Sequence, residues 1–133
     1  MSNVLSVKDH LGKQYNCRRA SAVDVRDLLL LVGARLSASK QHVEKQGLPA
    51  GALADSGYIS AMLMSMPNAD FARVEKLVGV SGITPPGHDK PVDLDHFRTN
   101  MSGYFHVVAG LVRENLQDFF TWLSSDQSDE TTE

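Results

Sequence analysis

The sequence has one cysteine, only five prolines, few aromatic residues and no apolar run long enough to cross a membrane. The single Cys17 cannot form a disulfide within the chain, so we expect a reducing, intracellular environment and a core that folds without a covalent link. The first residues also lack the basic start and the apolar stretch of a secretory leader. These absences predict a soluble, cytoplasmic protein with no membrane contact.

Charge of either sign is modest, and the net charge of −3 is unevenly distributed. Residues 1–50 contain eight Lys or Arg and four Asp or Glu, whereas residues 51–133 contain five and twelve. This polarity could steer a partner of mixed charge, although a solvated surface is the simpler explanation. The basic residues are scattered among acids and lack interleaved aromatic side chains, so we expect no nucleic-acid partner.

Known catalytic motifs are missing too: there is no GxSxG, no Walker A loop and no GxGxxG after a strand. One cluster has the side chains of a metal site, namely His88, Asp89, Asp93, Asp95 and His96. Its spacing matches neither HExxH nor an EF-hand loop, and helix caps or solvated loop positions explain the same residues. We therefore expect no enzyme, no metal and no cofactor, and we keep a small metal-dependent enzyme as the weaker alternative.

The first positive signal in the sequence is an alternation of apolar and polar residues near the N-terminus. Apolar and polar residues alternate within residues 3–19, which predicts a β-hairpin with Gly12 in its turn. Helical spacing of apolar residues follows, with Ser21 and Asn68 as N-caps and Pro67 and Gly79 as stops. It predicts helices from 22 to between 37 and 45, over 55–66, over 69–79, and over 92–123.

The last of these, residues 92–123, is predicted as one long core helix capped by Asp93 or Asp95. Its apolar residues recur at steps of three and four: Phe97, Met101, Phe105, Val108, Val112, Leu116, Phe119 and Leu123. The fold class is thus α+β, mainly α, with a short N-terminal β-hairpin followed by about four helices. We assign residues 1–124 to a single domain, with the hairpin at 3–19 and the helical part at 21–124, and predict a disordered acidic tail at 125–133.

Several apolar side chains fall outside the central stripes, which indicates helices packed on more than one side. We predict a partner-binding surface among them: Leu30, Leu31, Met62, Met64, Met66, Val107, Leu111 and Phe120. Core packing is the alternative, and if the last three are buried within one chain they are withdrawn. Gly33, and the pair Gly103 and Gly110, mark places where a second backbone approaches a helix, within the chain or in another copy.

The order of elements resembles a known family. The turn DHLGKQY, the strand end NCRR with a helix starting at SAVDV, and the late segment ENLQDFF are similar to the tail assembly chaperones of long-tailed bacteriophages and prophages. The resemblance runs from about Val4 to Leu123. It implies a small, mainly helical protein of the host bacterial cytoplasm that binds the tape-measure protein and brings it to tail-tube subunits.

The resemblance further implies that the chaperone leaves before the virion is finished, and that a frameshift yields a longer form in many phages. Broad apolar helical faces without an active site fit such a role, because an unassembled tape-measure protein exposes apolar surface. The alternatives are self-association of the chain as a homo-oligomer, or a structural adaptor that stays in the phage or bacterial assembly.

Overall fold

A computed structural model describes residues 3–48 and 50–123, so the predicted acidic tail lies outside the described residues. The first element is the predicted hairpin, in which β1 (Val4–Lys8) pairs antiparallel with β2 (Gln14–Arg18). One face of this hairpin is buried, as the alternating pattern requires. Gly12 has φ +88°, so a glycine stands where the turn needs a left-handed backbone.

Helices make up most of the remaining described chain. They are α1 (Ala22–Lys45), α2 (Ser56–Met64), α3 (Asn68–Val78), α4 (Met101–Asn115) and α5 (117–123), with 3-10 turns at Ala50–Ala54, Val80–Gly82 and Leu94–Phe97. Ser21 caps α1 as predicted, because its hydroxyl accepts the N–H of Asp24 at 3.2 Å. The α+β, mainly α fold class is confirmed.

α4 lies at the centre of the core. It packs against β1 on one side and α2 on another, while α1 and α3 form a neighbouring pair. Gly110 permits a close contact between α4 and the hairpin, because a Cβ at that position would lie 3.1 Å from the Val7 side chain. The predicted close approach at Gly110 is therefore met by the chain's own hairpin.

The prediction of one continuous helix over 92–123 is wrong. α4 begins after Asn100, whose side chain accepts the N–H of Gly103 at 3.3 Å, and a turn at Leu116 separates it from α5. Asp93 caps only the short turn Leu94–Phe97. Asparagine side chains that bond to nearby backbone compete with helix continuation, which explains the late start.

Three smaller predictions also need correction. Among the described residues, only side-chain atoms of Leu29 come within 4 Å of a Cβ placed at Gly33, so no second backbone approaches closely there. Gly103 instead makes room for its own cap, the side chain of Asn100. Pro67 occupies the N-cap position of α3, where Asn68 was expected.

Candidate partner-binding surface

The apolar side chains outside the central stripes of the C-terminal helices are buried by other parts of the same chain. Val107 and Leu111 are fully buried, and Phe120 is 5% exposed. All three belong to the main core cluster, whose members come from the hairpin and from α1 to α5. The condition set for withdrawing them is met, because a side chain buried in its own fold offers no area to a partner.

The three methionines near α2 have three different environments. Met66 is buried and Met62 packs half-buried against the core, whereas Met64 is 55% exposed. Met62 and Met64 differ because residues two apart on a helix point about 200° apart and cannot share one face. Met66 lies beyond the end of α2. Of the three, Met64 presents the largest apolar area to solvent.

α1 carries the clearest exposed apolar feature. Leu28, Val32 and Leu36 face the core, but Leu30 is 72% exposed and Leu31 is half-buried. Val23, 56% exposed, lies one heptad before Leu30.

Ala34, also exposed, follows Leu30 by four residues. Steps of seven and eleven residues return within about 20° of the same direction on an α-helix. Val23, Leu30 and Ala34 therefore form one line along α1, which we call the α1 strip. The seven-residue spacing of Val23 and Leu30 is visible in the sequence.

Charged residues border the α1 strip. A shallow depression of about 190 Å³ beside Leu30 is lined by Asp27, Leu31 and Arg73, the last contributed by α3. Arg35 and Asp70 form an ion pair at 3.0 Å that ties α1 to α3 further along. An exposed line of apolar side chains, bordered by acidic and basic residues, is typical of a helix that packs against another helix.

A second apolar groove lies between the end of α3 and the segment that leads into α4. It has a volume of about 440 Å³, with Val92, Phe97 and Leu94 among its walls. Leu94 is half exposed at its rim. The assignment of residues 92–97 to a long helix concealed this groove, because it placed those side chains on a packed helix face.

Tyr104 lies at the base of this groove and donates its hydroxyl hydrogen to Glu75. Burial raises the pKa of the Tyr104 phenol, and the hydrogen bond and negative charge of Glu75 raise it further. The phenol therefore stays protonated and serves as a donor that links α4 to α3.

Three of the five residues in the cluster kept as the weaker metal-site alternative make structural contacts. The Tyr15 hydroxyl and Nε2 of His96 lie 3.0 Å apart, Asp93 accepts the N–H of His96, and Asp95 lies 3.7 Å from Arg98. Within residues 3–48 and 50–123, no three His, Cys, Asp or Glu side chains are grouped so that they could hold a metal ion.

Cys17 is buried on β2. Its thiol lies 3.4 Å from the carbonyl oxygen of Gly79 and 3.5 Å from that of Val78. Burial raises the pKa of the Cys17 thiol, which keeps it in the unreactive protonated form.

The structure thus has exposed apolar surfaces, and comparison with known proteins gives them a context. In the described part of the chain, no helix is both long and apolar enough to cross a bilayer. No curated protein and no solved structure matches the chain. A family model described as phage tail assembly chaperone protein matches residues 11–127, which is most of the chain. The chain therefore belongs to the phage tail assembly chaperone family.

Proposed function

We propose that this protein is a non-enzymatic chaperone that binds the tape-measure protein during tail assembly in the host cytoplasm. Tail-tube subunits are its second partner in this proposal. The observation that carries it is the α1 strip, where Leu30 stands 72% exposed on a helix whose opposite face is buried in the core. A helical client with an apolar face would cover that strip and be kept from aggregating.

The charges beside the α1 strip support a helical client. Asp27 and Arg73 both line the depression beside Leu30, so a partner helix with complementary charges would be fixed in register. Met64 and the Leu94 groove are further exposed apolar sites, and neither forms a line along a helix. The α1 strip is therefore the first place to test.

Co-expression with the tape-measure protein encoded by the same phage tests the proposal. Leu30→Asp should leave that client in the insoluble fraction and abolish its recovery with the tagged chaperone. The matched control is Leu11→Asp in the hairpin turn, because Leu11 is 74% exposed and undergoes the same chemical change. The control variant should keep the client soluble.

Two results would overturn the proposal. If the wild-type chaperone neither binds nor solubilises the client, the chaperone assignment to that partner fails. If Leu30→Asp and Leu11→Asp both retain the client, the α1 strip is not the contact. A loss of oligomer mass in Leu30→Asp without loss of the client would assign the strip to self-association instead.

A further inference from the structure

The Leu94 groove, between the end of α3 and the segment that leads into α4, is held by hydrogen bonds of the backbone. The N–H of Val92 donates to the carbonyl oxygen of Ile83 at 2.9 Å, which fixes these two lining residues together. Thr84, next to Ile83, exchanges hydrogen bonds of 2.7 and 2.8 Å with Asn16 of β2. Because the groove is already shaped, a partner that enters it has little additional chain to order.

Most of the groove lining is apolar. Phe97 is buried, and its ring centroid lies 5.2 Å from that of Tyr104, whereas Leu94 is 53% exposed. The other apolar lining residues are Val80, Ile83, Pro91 and Val92. The volume of about 440 Å³ falls within the range of about 300–1,000 Å³ that is usual for ligand sites. An apolar side chain placed in the groove would remove this surface from water.

The two charged residues in the lining are both acidic. Glu75 is half-buried and accepts the hydroxyl hydrogen of Tyr104, and Asp93 accepts the N–H of His96 at 3.2 Å. Among the residues that the structure describes, neither carboxylate forms an ion pair, and the lining contains no Lys, Arg or His. Apolar walls with two acidic groups favour an occupant that is both apolar and positively charged.

Basic residues close in sequence to these acids have other positions. Lys76 lines a different depression, beside the end of β2 and the start of α1, and Arg98 lies 3.7 Å from Asp95. Lys90 is exposed and lies outside the lining. Like charge also disfavours residues 124–133 as the occupant, since that sequence has four acids and no base. A separate molecule therefore fits the groove better.

We propose that the Leu94 groove binds a short segment of a protein partner in which a large apolar side chain stands beside a lysine or an arginine. The apolar side chain packs against Leu94 and Phe97, and the basic side chain pairs with Asp93 or Glu75. Aromatic side chains and arginine contribute much of the affinity at many protein interfaces. The α1 strip contributes none of the groove lining, so this inference is independent of the tape-measure client.

Selection from a library of displayed random peptides on the immobilised full chain tests the proposal. Counter-selection uses the double variant Glu75→Gln with Asp93→Asn. An amide oxygen still accepts from the Tyr104 hydroxyl and still caps the turn after Asp93, so the variant loses the two charges and keeps the two hydrogen bonds. Peptides retained by the wild type and not by the variant should combine a large apolar residue with an adjacent lysine or arginine.

NMR titration of one recovered peptide into the full chain locates its site. The amides of Val80, Ser81 and Leu94 should shift and saturate, because these residues line the groove. In the double variant Glu75→Gln with Asp93→Asn, the dissociation constant should rise at least about fivefold, and high salt should weaken binding to the wild type.

A second double variant is the matched control for net charge. Asp89→Asn with Asp118→Asn removes two charges at exposed positions outside the lining, and it should change the dissociation constant by less than about twofold. Leu30→Asp should also leave peptide binding unchanged. Loss of the tape-measure client in Leu30→Asp, with the peptide still bound, would separate the two surfaces.

Several results would overturn the proposal. Counter-selection may leave no peptides, the recovered peptides may be neutral or acidic, or the amide shifts may fall outside the groove. Equal affinities of the wild type and of Glu75→Gln with Asp93→Asn would show that the carboxylates do not select the occupant. Shifts at the groove that appear on concentrating the protein without peptide would assign it to a second copy of this chain instead.

Discussion

α1 and α4 look alike as sequences, because each carries more apolar residues than one buried face requires, but the fold treats them differently. The hairpin and α2 both pack on α4, and Val107, Val108 and Leu111 are all fully buried. α1 packs mainly on α3 and a short 3-10 turn, and it leaves Leu30 in solvent. The width of an apolar stripe thus indicates how much helix surface must be buried. Only the three-dimensional structure shows whether other segments of the same chain bury it.

The largest expected effect that separates the two helices comes from shortening one leucine on each. Leu111→Ala on α4 should lower the free energy of unfolding by about 3 kcal/mol, because it removes buried methyl groups and leaves a cavity. Leu30→Ala on α1 should change it by less than about 0.5 kcal/mol, since that side chain is already in water. Urea denaturation of the two variants measures the difference. Equal losses would mean that Leu30 is covered, and the α1 strip would then be lost as a binding site.

Local signals were sufficient to predict the hairpin and the position of α1. Alternation around Leu5 and Val7 and the cap at Ser21 act over a few residues, and each is present in the structure. The breaks at Asn100 and Leu116 were missed because the period-3.6 pattern continues through both. The two asparagines, Asn100 before α4 and Asn115 at its end, were the available warning.

The candidate surface was harder to predict than the fold. Whether Val107 or Leu30 is exposed depends on which distant segment packs over it, and periodicity carries no information about distant segments. The groove beside Leu94 was hidden for the same reason, since it forms only where residues 91–97 meet the end of α3. Binding at Leu30 and Met64 remains a prediction.

The next effect concerns how α4 holds the start of α1. The side chain of Asn115 accepts the N–H of Ala20 at 3.0 Å and donates to the carbonyl of Leu111 at 2.9 Å. Asn115→Leu should cost about 2 kcal/mol, because it leaves a part-buried N–H without a partner. Ser21→Ala, which removes the cap supplied by α1 itself, should cost about 1 kcal/mol.

Thermal or urea unfolding of both variants ranks the two contributions. A larger loss for Ser21→Ala would show that α1 is held by its own cap more than by α4. A loss in Asn115→Leu that is confined to hydrogen exchange in the first turn of α1 would indicate local opening of that turn.

A pH-dependent effect is expected for α4 through Tyr104. The pKa of Tyr104 is raised by burial and by Glu75, so the folded state favours the protonated phenol. Its contribution is therefore fully present below the ordinary tyrosine pKa of about 10, and it is lost as pH rises above that value.

Tyr104→Phe should lower stability by about 1 kcal/mol at neutral pH through loss of the hydrogen bond to Glu75. The variant should also lose less stability than the wild type between about pH 10 and 11. Urea midpoints across that range provide the measurement, with Tyr58→Phe on α2 as the control. Parallel alkaline losses in the wild type and Tyr104→Phe would contradict the assignment.

The smallest expected effect comes from replacing one buried glycine on each helix, Gly110 on α4 and Gly33 on α1, by alanine. The change in stability should have opposite signs at the two sites. A Cβ at Gly110 would lie 3.1 Å from both Cβ and Cγ1 of Val7, a β-branched residue fixed in the hairpin. A Cβ at Gly33 would lie 3.1 Å from Cδ1 of Leu29, the end of a flexible side chain on the same helix.

Alanine gains up to about 1 kcal/mol of helix propensity over glycine at either site. We therefore expect Gly33→Ala to stabilise the protein by up to about 1 kcal/mol. Gly110→Ala should be neutral or destabilising by about 1 kcal/mol, because the overpacked contact offsets the propensity gain. Melting temperatures of both variants decide the matter, and stabilisation by Gly110→Ala would show that the contact between α4 and the hairpin is looser than the structure indicates.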